Sequence, residues 1–290
     1  MSDQHCSVCR TGITQAHGEQ TWRISGQTYR LCECAACGSA FTAPLPSDSV
    51  LKAIYGSVFD YRWYRDHYDA KLDDCRTRVK EYDTMLGRRV LDFGGGMGYF
   101  AQAVTETGRT SVSFDPYVTA TPPARGCWDS VVALHVLEHS NDLDRTMAEI
   151  KEFLVPGGRL ILAVPNFASL GYRERGMGWV WAQPPLVHIF HFTAHGLSEL
   201  LTRHGFSVIE TSFHERWDAN LYCDLAHTEE FRRHDALWSL RPLKPFAFWR
   251  RRVARRNARL RFSGLDIALR DHDSHSDIYA ELQVIAVLNP

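Results

Sequence analysis

Short apolar runs recur along the middle of the chain, and each is followed by a glycine or a polar residue. They cover residues 90–93, 111–114, 130–134 and 160–164. The last two are almost continuously apolar, as expected of strands that are buried on both faces. Helix-compatible segments at 99–104 and 141–154 lie between the runs. The pattern predicts an α/β fold, a Rossmann-like, doubly wound sheet of mostly parallel strands.

The pattern also predicts an irregular sheet. Only residues 116–128 lie between Asp115, which follows the second run, and Asp129, which precedes the third. A parallel crossover needs a dozen or more residues in addition to the strand that follows it. We therefore expect the usual third strand of such a sheet to be reduced or absent. Residues 205–211 and 278–287 predict two final strands, paired antiparallel, with a long insertion at 214–276 between them.

The first run leads into a glycine-rich turn. Its acid is Asp92, and Gly94, Gly96 and Gly98 follow, with Gly95 as an additional glycine. Glycines let the backbone approach a ligand closely, and strand, glycine turn and helix in that order are typical of nucleotide cradles. Asp115 ends the second run, where a carboxylate can meet the ribose hydroxyls of a bound nucleoside.

Polar residues also follow the next two strands. His135 comes after the third run and Asn166 after the fourth. Ligands of open α/β sheets bind beyond the carboxyl ends of the strands. We therefore expect Asp92, Asp115, His135 and Asn166 to converge on one crevice.

The cysteines are concentrated at the start of the chain. Two Cys-x-x-Cys pairs, Cys6 with Cys9 and Cys34 with Cys37, flank a predicted hairpin with strands at 22–24 and 28–31. This spacing is typical of a zinc ribbon with four thiolates around a structural zinc ion. Cys32 is a surplus candidate ligand. We expect a ribbon module at residues 1–45, a helical linker or lid at 46–88 and the main domain at 89–290.

The composition of the chain limits the partners and the cellular location that we expect. The formal net charge of −1 disfavours nucleic acid as a partner. The chain starts without an apolar run and contains no stretch near 20 apolar residues, so we expect neither a signal peptide nor a membrane span. Clustered cysteines without a secretory signal favour metal binding over disulfides. We expect a cytoplasmic protein.

The motifs together resemble those of class I S-adenosylmethionine-dependent methyltransferases that carry an N-terminal zinc ribbon. The resemblance rests on V-L-D-F-G-G-G-M-G at 90–98, D-S-V-V-A-L-H-V-L-E-H at 129–139 and P-G-G-R-L-I-L-A-V-P-N at 156–166. It implies S-adenosylmethionine as cofactor, held by Asp92, the glycines, Asp115 and His135. The resemblance also suggests that Tyr64 belongs to a lid over the cofactor.

The expected reaction is methyl transfer to a small-molecule or glycan-type acceptor, most readily at oxygen. Histidine suits the general base, with His188 as first candidate, followed by His139 and His135. RNA methylation and non-catalytic cofactor binding stay open as alternatives. A further alternative involves a metal ion. Some magnesium-dependent methyltransferases have a metal motif that resembles His135-x-x-Glu138-His139 together with His188, except that histidine here replaces the first glutamate.

The predicted insertion contains a basic segment. Seven arginines lie within residues 246–262, and apolar residues share one helical face. Such a helix can contact an anionic membrane or a phosphorylated acceptor, or simply be a solvated surface.

Overall fold

The computed structural model describes residues 5–11, 14–21, 27–58, 68–115, 119, 121–176, 187–214 and 279–290. The strands are β1 Thr14–Thr21, β2 Thr28–Cys34, β3 Ala40–Ala43, β4 Arg89–Phe93, β5 Thr110–Phe114, β6 Trp128–Leu134, β7 Leu154–Pro165, β8 Phe190–His191, β9 Phe206–His214 and β10 Glu281–Leu288. The helices are α1 Asp48–Val58, α2 Tyr68–Glu81, α3 Tyr99–Thr105, α4 Leu143–Phe153, α5 Leu170–Arg175 and α6 Ala194–Arg203, and Leu137–His139 forms a 3-10 turn.

Six strands form the main sheet in the order β5-β4-β6-β7-β10-β9. The first four are parallel to one another, and β10 runs antiparallel to both β7 and β9. The predicted α/β fold and the antiparallel final pair are thereby confirmed. Strand β5 lies at one end of the sheet, and residues 119 and 121–127, the described part of the following connection, contain no strand.

Aromatic and aliphatic side chains fill the space between the sheet and the helices. Phe93 of β4, Phe114 of β5 and Phe153 of α4 contact one another with ring centroids 5.7–6.2 Å apart. On the other face, Phe100 of α3 packs with Val90 and its neighbours. Because both faces are covered, the central strands consist of apolar residues, which is what made them visible in the sequence.

The N-terminal module forms a second sheet in the order β1-β2-β3-β8. Its fourth strand comes from a distant part of the chain: Ala40 pairs with His191 and Phe41 with Phe190. In the described residues, the strand that pairs with β2 is β1, at Thr14–Thr21, which the sequence did not predict; the strand predicted at 22–24 lies outside the described residues. The polar sequence of β1 concealed it, since its pairing with β2 supplies backbone hydrogen bonds without requiring apolar side chains.

Several predictions concern residues outside the described ranges. They include Tyr64 and almost all of the insertion at 214–276 with its basic segment. Among the described residues, no helix has the length and apolar character needed to cross a bilayer.

Candidate functional site

The glycine turn joins β4 to α3 and requires all four of its glycines. Gly94, Gly96 and Gly98 have φ angles of +72°, +52° and +77°, which side chains with a Cβ rarely adopt. Gly95 is required for a different reason: a Cβ there would lie 2.0 Å from Oδ2 of Asp92. None of the four is merely tolerated, so the loop presents bare backbone at the carboxyl end of β4.

Two acids hold this loop in place. Asp115, just after β5, accepts a hydrogen bond from the Gly96 backbone N–H at 3.1 Å. Asp92 lies beneath the loop, where it is almost completely buried and accepts a hydrogen bond from the Ala101 N–H at 3.3 Å. Burial raises the pKa of Asp92 to about 7, although the N–H of Ala101 partly opposes the rise. Asp115 thus holds the loop from a partly exposed position at the end of β5, and Asp92 supports it from below.

The carboxyl end of β6 leads into a buried network of charged groups. His135 adopts a φ of +55°, and this turn directs its ring between two carboxylates. Nδ1 lies 3.2 Å from Oε1 of Glu138, and Nε2 lies 3.0 Å from Oε2 of Glu281. Arg78 binds both oxygens of Glu281, at 3.2 and 2.7 Å. The network joins α2, β6 and β10 beneath the crevice.

The charges in this network determine its protonation. Burial opposes a charge on His135, but the hydrogen bonds that its ring donates to Glu138 and Glu281 outweigh this effect and raise the pKa of His135 to about 9. Burial likewise opposes ionisation of Glu281, yet Arg78 and His135 hold its pKa well below the usual range. His135 is therefore an imidazolium at neutral pH, with both ring nitrogens engaged. This geometry fits a supporting role for His135 better than that of a base.

The other candidate histidines lie at the 3-10 turn and next to or in strand β8. His139 ends the 3-10 turn, and its Nδ1 is 2.7 Å from the carbonyl oxygen of Val187. The ring of His188 stands edge-on to that of His139, with centroids 4.9 Å apart. His191 points into the ribbon side of the core; its Nε2 has no partner among the described residues, and burial lowers its pKa to about 4. His139 and His188 thus form a pair, whereas His191 is a neutral core residue.

Asn166 has a structural task. Its side chain donates to the carbonyl of Tyr279 at 2.9 Å and accepts from the N–H of Ala168 at 3.1 Å. It is fully buried, so it fixes the end of β7 to the segment that enters β10. Of the four strand-end residues expected to converge, Asp92 and Asn166 are buried, whereas Asp115 and His135 are partly exposed.

Trp128 lies far from the crevice. It begins β6, at the opposite end of the strand from His135, and its indole N–H donates to the carbonyl of Ala124 at 2.7 Å.

The four predicted cysteines come together in the N-terminal module. Cys6, Cys9, Cys34 and Cys37 are all buried, and their sulfurs lie within 4.8 Å of one another. Sγ of Cys6 is 3.8 Å from that of Cys37, and Sγ of Cys9 is 3.7 Å from that of Cys34. Four sulfurs about 2.3 Å from a tetrahedral centre would be about 3.8 Å apart. The donor set and its spacing therefore fit zinc.

Details around the sulfurs agree with this fit. The N–H of Val8 points at Sγ of Cys6 at 3.3 Å, and the hydroxyl of Thr11 points at Sγ of Cys9 at 3.3 Å. Such donors stabilise thiolates. The hydrogen bond to Cys6 and burial raise the pKa of Cys37, as expected where thiolates would repel without a cation. Cys32 is buried but is not part of the group.

The cysteine module is attached directly to the segment around β8. The hydroxyl of Thr193 donates to the carbonyl of Cys37 at 2.6 Å, and the N–H of Thr193 donates to Oγ of Ser39 at 3.1 Å. The N–H of Thr42 donates to the carbonyl of Ile189 at 2.8 Å. The segment that contains His188 is therefore fixed on one side by the cysteine module.

A family model described as a methyltransferase domain matches residues 64–211, just over half of the chain. The chain belongs to this methyltransferase family. Two curated relatives, uncharacterized methyltransferases of Mycobacterium sp. strains KMS and MCS, are each 31% identical over 137 residues, covering 38% of this chain and 54% of each relative. The matched region thus spans about half the length of these relatives.

Solved structures of methyltransferases are similar in fold. An S-adenosylmethionine-dependent methyltransferase from Archaeoglobus fulgidus has 16% identity and a TM-score of 0.46, covering 79% of this chain and 100% of that one. One from Mesorhizobium loti has 17% identity and a TM-score of 0.42, covering 74% and 99%.

Sequence reasoning missed two residues of this methyltransferase's buried network, Arg78 and Glu281. Glu281 could have been noticed, because it is an acid next to the apolar run 284–288 and a buried carboxylate needs a partner. Arg78 lies on the polar helix α2, and its sequence surroundings contain no signal for burial. Their contact joins residues 203 positions apart.

Proposed function

We propose that this protein transfers a methyl group from S-adenosylmethionine to an oxygen atom of a small-molecule or glycan-type acceptor. The observation that carries the proposal is the bare glycine loop fastened to Asp115 in a chain of the methyltransferase family. Backbone N–H groups of such a loop can hold the amino-acid part of the cofactor, and Asp115 is placed to accept hydrogen bonds from ribose hydroxyls.

The chemistry is an in-line displacement. A lone pair of the acceptor oxygen forms the new C–O bond while the C–S bond of the sulfonium breaks, and S-adenosylhomocysteine leaves as a neutral thioether. The hydroxyl proton must depart for the oxygen to become a good nucleophile. His139 and His188, adjacent to one another on the acceptor side, are the residues that we assign to this activation, with His188 first because it is the more buried.

We also propose that Cys6, Cys9, Cys34 and Cys37 bind a structural zinc ion. Four buried thiols at tetrahedral spacing support this, and a site closed by four sulfurs leaves no position for a substrate. The zinc would stabilise the module that fixes the His188 segment.

Calorimetric titration with S-adenosylhomocysteine tests the cofactor assignment. We expect saturable binding to the full chain, and a loss of about tenfold or more in affinity in Asp115→Asn, since one charge-assisted hydrogen bond is worth roughly 1.5–3 kcal/mol. Asp73→Asn, at an exposed acid of α2, is the matched control and should bind normally. No heat with the wild-type chain would refute the assignment. Binding without turnover of any acceptor would favour a non-catalytic sensor.

A further inference from the structure

Three side chains near the acceptor side offer metal ligands at close range. A carboxylate oxygen of Glu138 and one ring nitrogen each of His139 and His188 lie within 4.8 Å of one another. Glu138 is fully buried and His188 is almost so. Nitrogen and oxygen ligands about 2.1 Å from a tetrahedral ion are about 3.4 Å apart, a spacing that small side-chain rotations would reach.

Glu138 supplies an independent sign that a cation belongs here. Its Oε1 is hydrogen-bonded to His135, but its buried Oε2 has no hydrogen-bond partner among the described residues. A buried carboxylate oxygen without a partner is costly, and native proteins rarely leave one. Because His135 is itself held between Glu138 and Glu281, it cannot turn to serve Oε2.

The tautomer of His139 is consistent with coordination. Its Nδ1 lies 2.7 Å from the Val187 carbonyl, and a carbonyl oxygen can only accept, so Nδ1 carries the proton and Nε2 is the basic nitrogen. Metal-binding histidines commonly donate their other ring nitrogen to a backbone carbonyl in this way. Glu138 has an equivalent support in His135, which orients its carboxylate.

We propose that Glu138, His139 and His188 form a binding site for a divalent transition-metal ion, and that this ion activates the acceptor of the proposed methyl transfer. The activation of the acceptor rests on the proposed function, whereas the metal site itself does not. Two imidazoles and one carboxylate select zinc and its first-row neighbours over magnesium, which prefers oxygen ligands. Three protein ligands leave positions open for the oxygen of an acceptor, unlike the four-cysteine site.

The location suits this role. Val136, two residues before Glu138, lies against the cofactor loop, since a Cβ on Gly94 would be 2.5 Å from its Cγ2. The turn that carries Glu138 and His139 therefore borders the proposed cofactor site. An acceptor hydroxyl bound to the ion would lose its proton to solvent at a lower pH, and its oxygen would then attack the methyl carbon as described above. In this form His188 acts as a ligand and takes no proton.

Titration with cobalt(II) alone tests the site without an acceptor or a cofactor. The full chain is first dialysed against a weak chelator, which removes ions from an open three-ligand site more readily than from four thiolates. We expect one further equivalent of Co²⁺ to bind with ligand-field absorption only, because no sulfur takes part, and Zn²⁺ to displace it. Cobalt that enters the cysteine site would instead show thiolate charge-transfer absorption.

Glu138→Gln and His139→Asn should each weaken this binding about tenfold or more, since even loss of residues that merely support a ligand costs that much. Glu199→Gln and His195→Asn, on exposed positions of α6, remove the same groups elsewhere and should bind as wild type does. Thermal unfolding shows whether each variant is folded. Because His139 is only half-buried, the His139→Asn variant can still test the proposal if the Glu138→Gln variant does not fold.

Two results would overturn the proposal: wild-type chain that binds no cobalt outside the cysteine site, or equal binding by wild type and a folded Glu138 or His139 variant. Titration with S-adenosylhomocysteine is measured separately. Cofactor binding without metal binding would defeat this inference alone, and metal binding without cofactor binding would defeat the proposed function alone.

Discussion

Asp92 illustrates how one residue links the fold to the cofactor loop. Its carboxyl group is buried under the glycine turn, close enough that only glycine fits at position 95. A buried carboxyl without a positive partner favours its neutral form, which is why its pKa rises to about 7. The loop therefore rests on a group whose charge changes near physiological pH.

This leads to a prediction for Asp92→Asn. In the unfolded chain Asp92 ionises near pH 4, whereas in the folded chain it holds its proton up to about pH 7. Between these values the folded state binds more protons, so the Asp92 contribution to stability falls as pH rises. Asparagine removes this dependence and keeps an oxygen for the Ala101 N–H. We expect the free energy of unfolding of the variant to exceed that of wild type by about 2–4 kcal/mol at pH 8, and by less at pH 5.

Urea unfolding of both proteins at several pH values between 5 and 8 measures the difference. Asp73→Asn is again the control, because an exposed carboxylate should leave the pH dependence unchanged. Parallel pH curves for wild type and Asp92→Asn would show that the buried carboxyl is not neutral in the folded protein.

At the scale of elements, pattern and spacing were enough for the main sheet. The strands β4, β6 and β7 are apolar because both faces are covered, and the short stretch after β5 left no room for another strand. The second sheet was harder to predict. Its strand β1 is polar, and its edge strand β8 has two residues that pair with β3 about 150 positions earlier in the chain. No local pattern contains such a pairing.

The same limit applies to the site. The cysteine pairs and the glycine turn are formed by residues close together in the sequence, so they could be predicted from it. The grouping of Glu138 and His139 with His188 depends on how the β8 segment returns to the 3-10 turn, where the Ile189 N–H donates to the Glu138 carbonyl at 2.6 Å. Whether His135 would join this group could not be judged without Glu281, which occupies its other nitrogen.

The shared sheet predicts that loss of the cysteine site will loosen the acceptor side. Cys34→Ser removes one proposed zinc ligand, and loss of a structural zinc ion removes part of the folding free energy of the module that holds it. Strand β3 would then no longer pair with β8. We expect hydrogen exchange at residues 187–192 to become roughly tenfold faster or more, because that segment loses its partner strand.

Exchange mass spectrometry of the full chain measures this effect, with the glycine loop at 94–98 as an internal reference that should change little. Cys75→Ser is the matched control, since Cys75 lies on α2 outside the cysteine group. Unchanged protection of residues 187–192 in Cys34→Ser would mean that β8 does not depend on the metal.

At the scale of the whole molecule, a cluster around Asp144 ties the cysteine module to the main domain. Asp144, at the start of α4, is paired with Arg10 of the module and with Arg203 of α6, and its Oδ1 lies 2.9 Å from Nε2 of His204. Arg203 also donates to the carbonyl of Val8 at 3.0 Å. Three separate parts of the chain therefore meet at one carboxylate.

The final prediction concerns this cluster. Partial burial opposes ionisation of Asp144, but hydrogen bonds from Arg203, Arg10 and His204 outweigh it and lower its pKa to about 2. Since the folded pKa lies below the unfolded value, the stabilisation is complete above about pH 4 and is lost as pH falls towards 2. Solvent screens this partly exposed site, so Asp144→Asn should cost only about 1 kcal/mol at pH 7.

Salt separates this electrostatic contribution from loss of packing. About 1 M salt shortens the screening length to roughly 3 Å, so the stability difference between wild type and Asp144→Asn should shrink in urea unfolding at pH 7. Asp83→Asn, at an exposed acid that is paired with Arg109, controls for general effects of charge. A difference that persists at high salt would indicate that Asp144 holds the module by hydrogen-bond geometry. A difference below the error of measurement would mean that the Asp144 cluster contributes nothing to the attachment of the module.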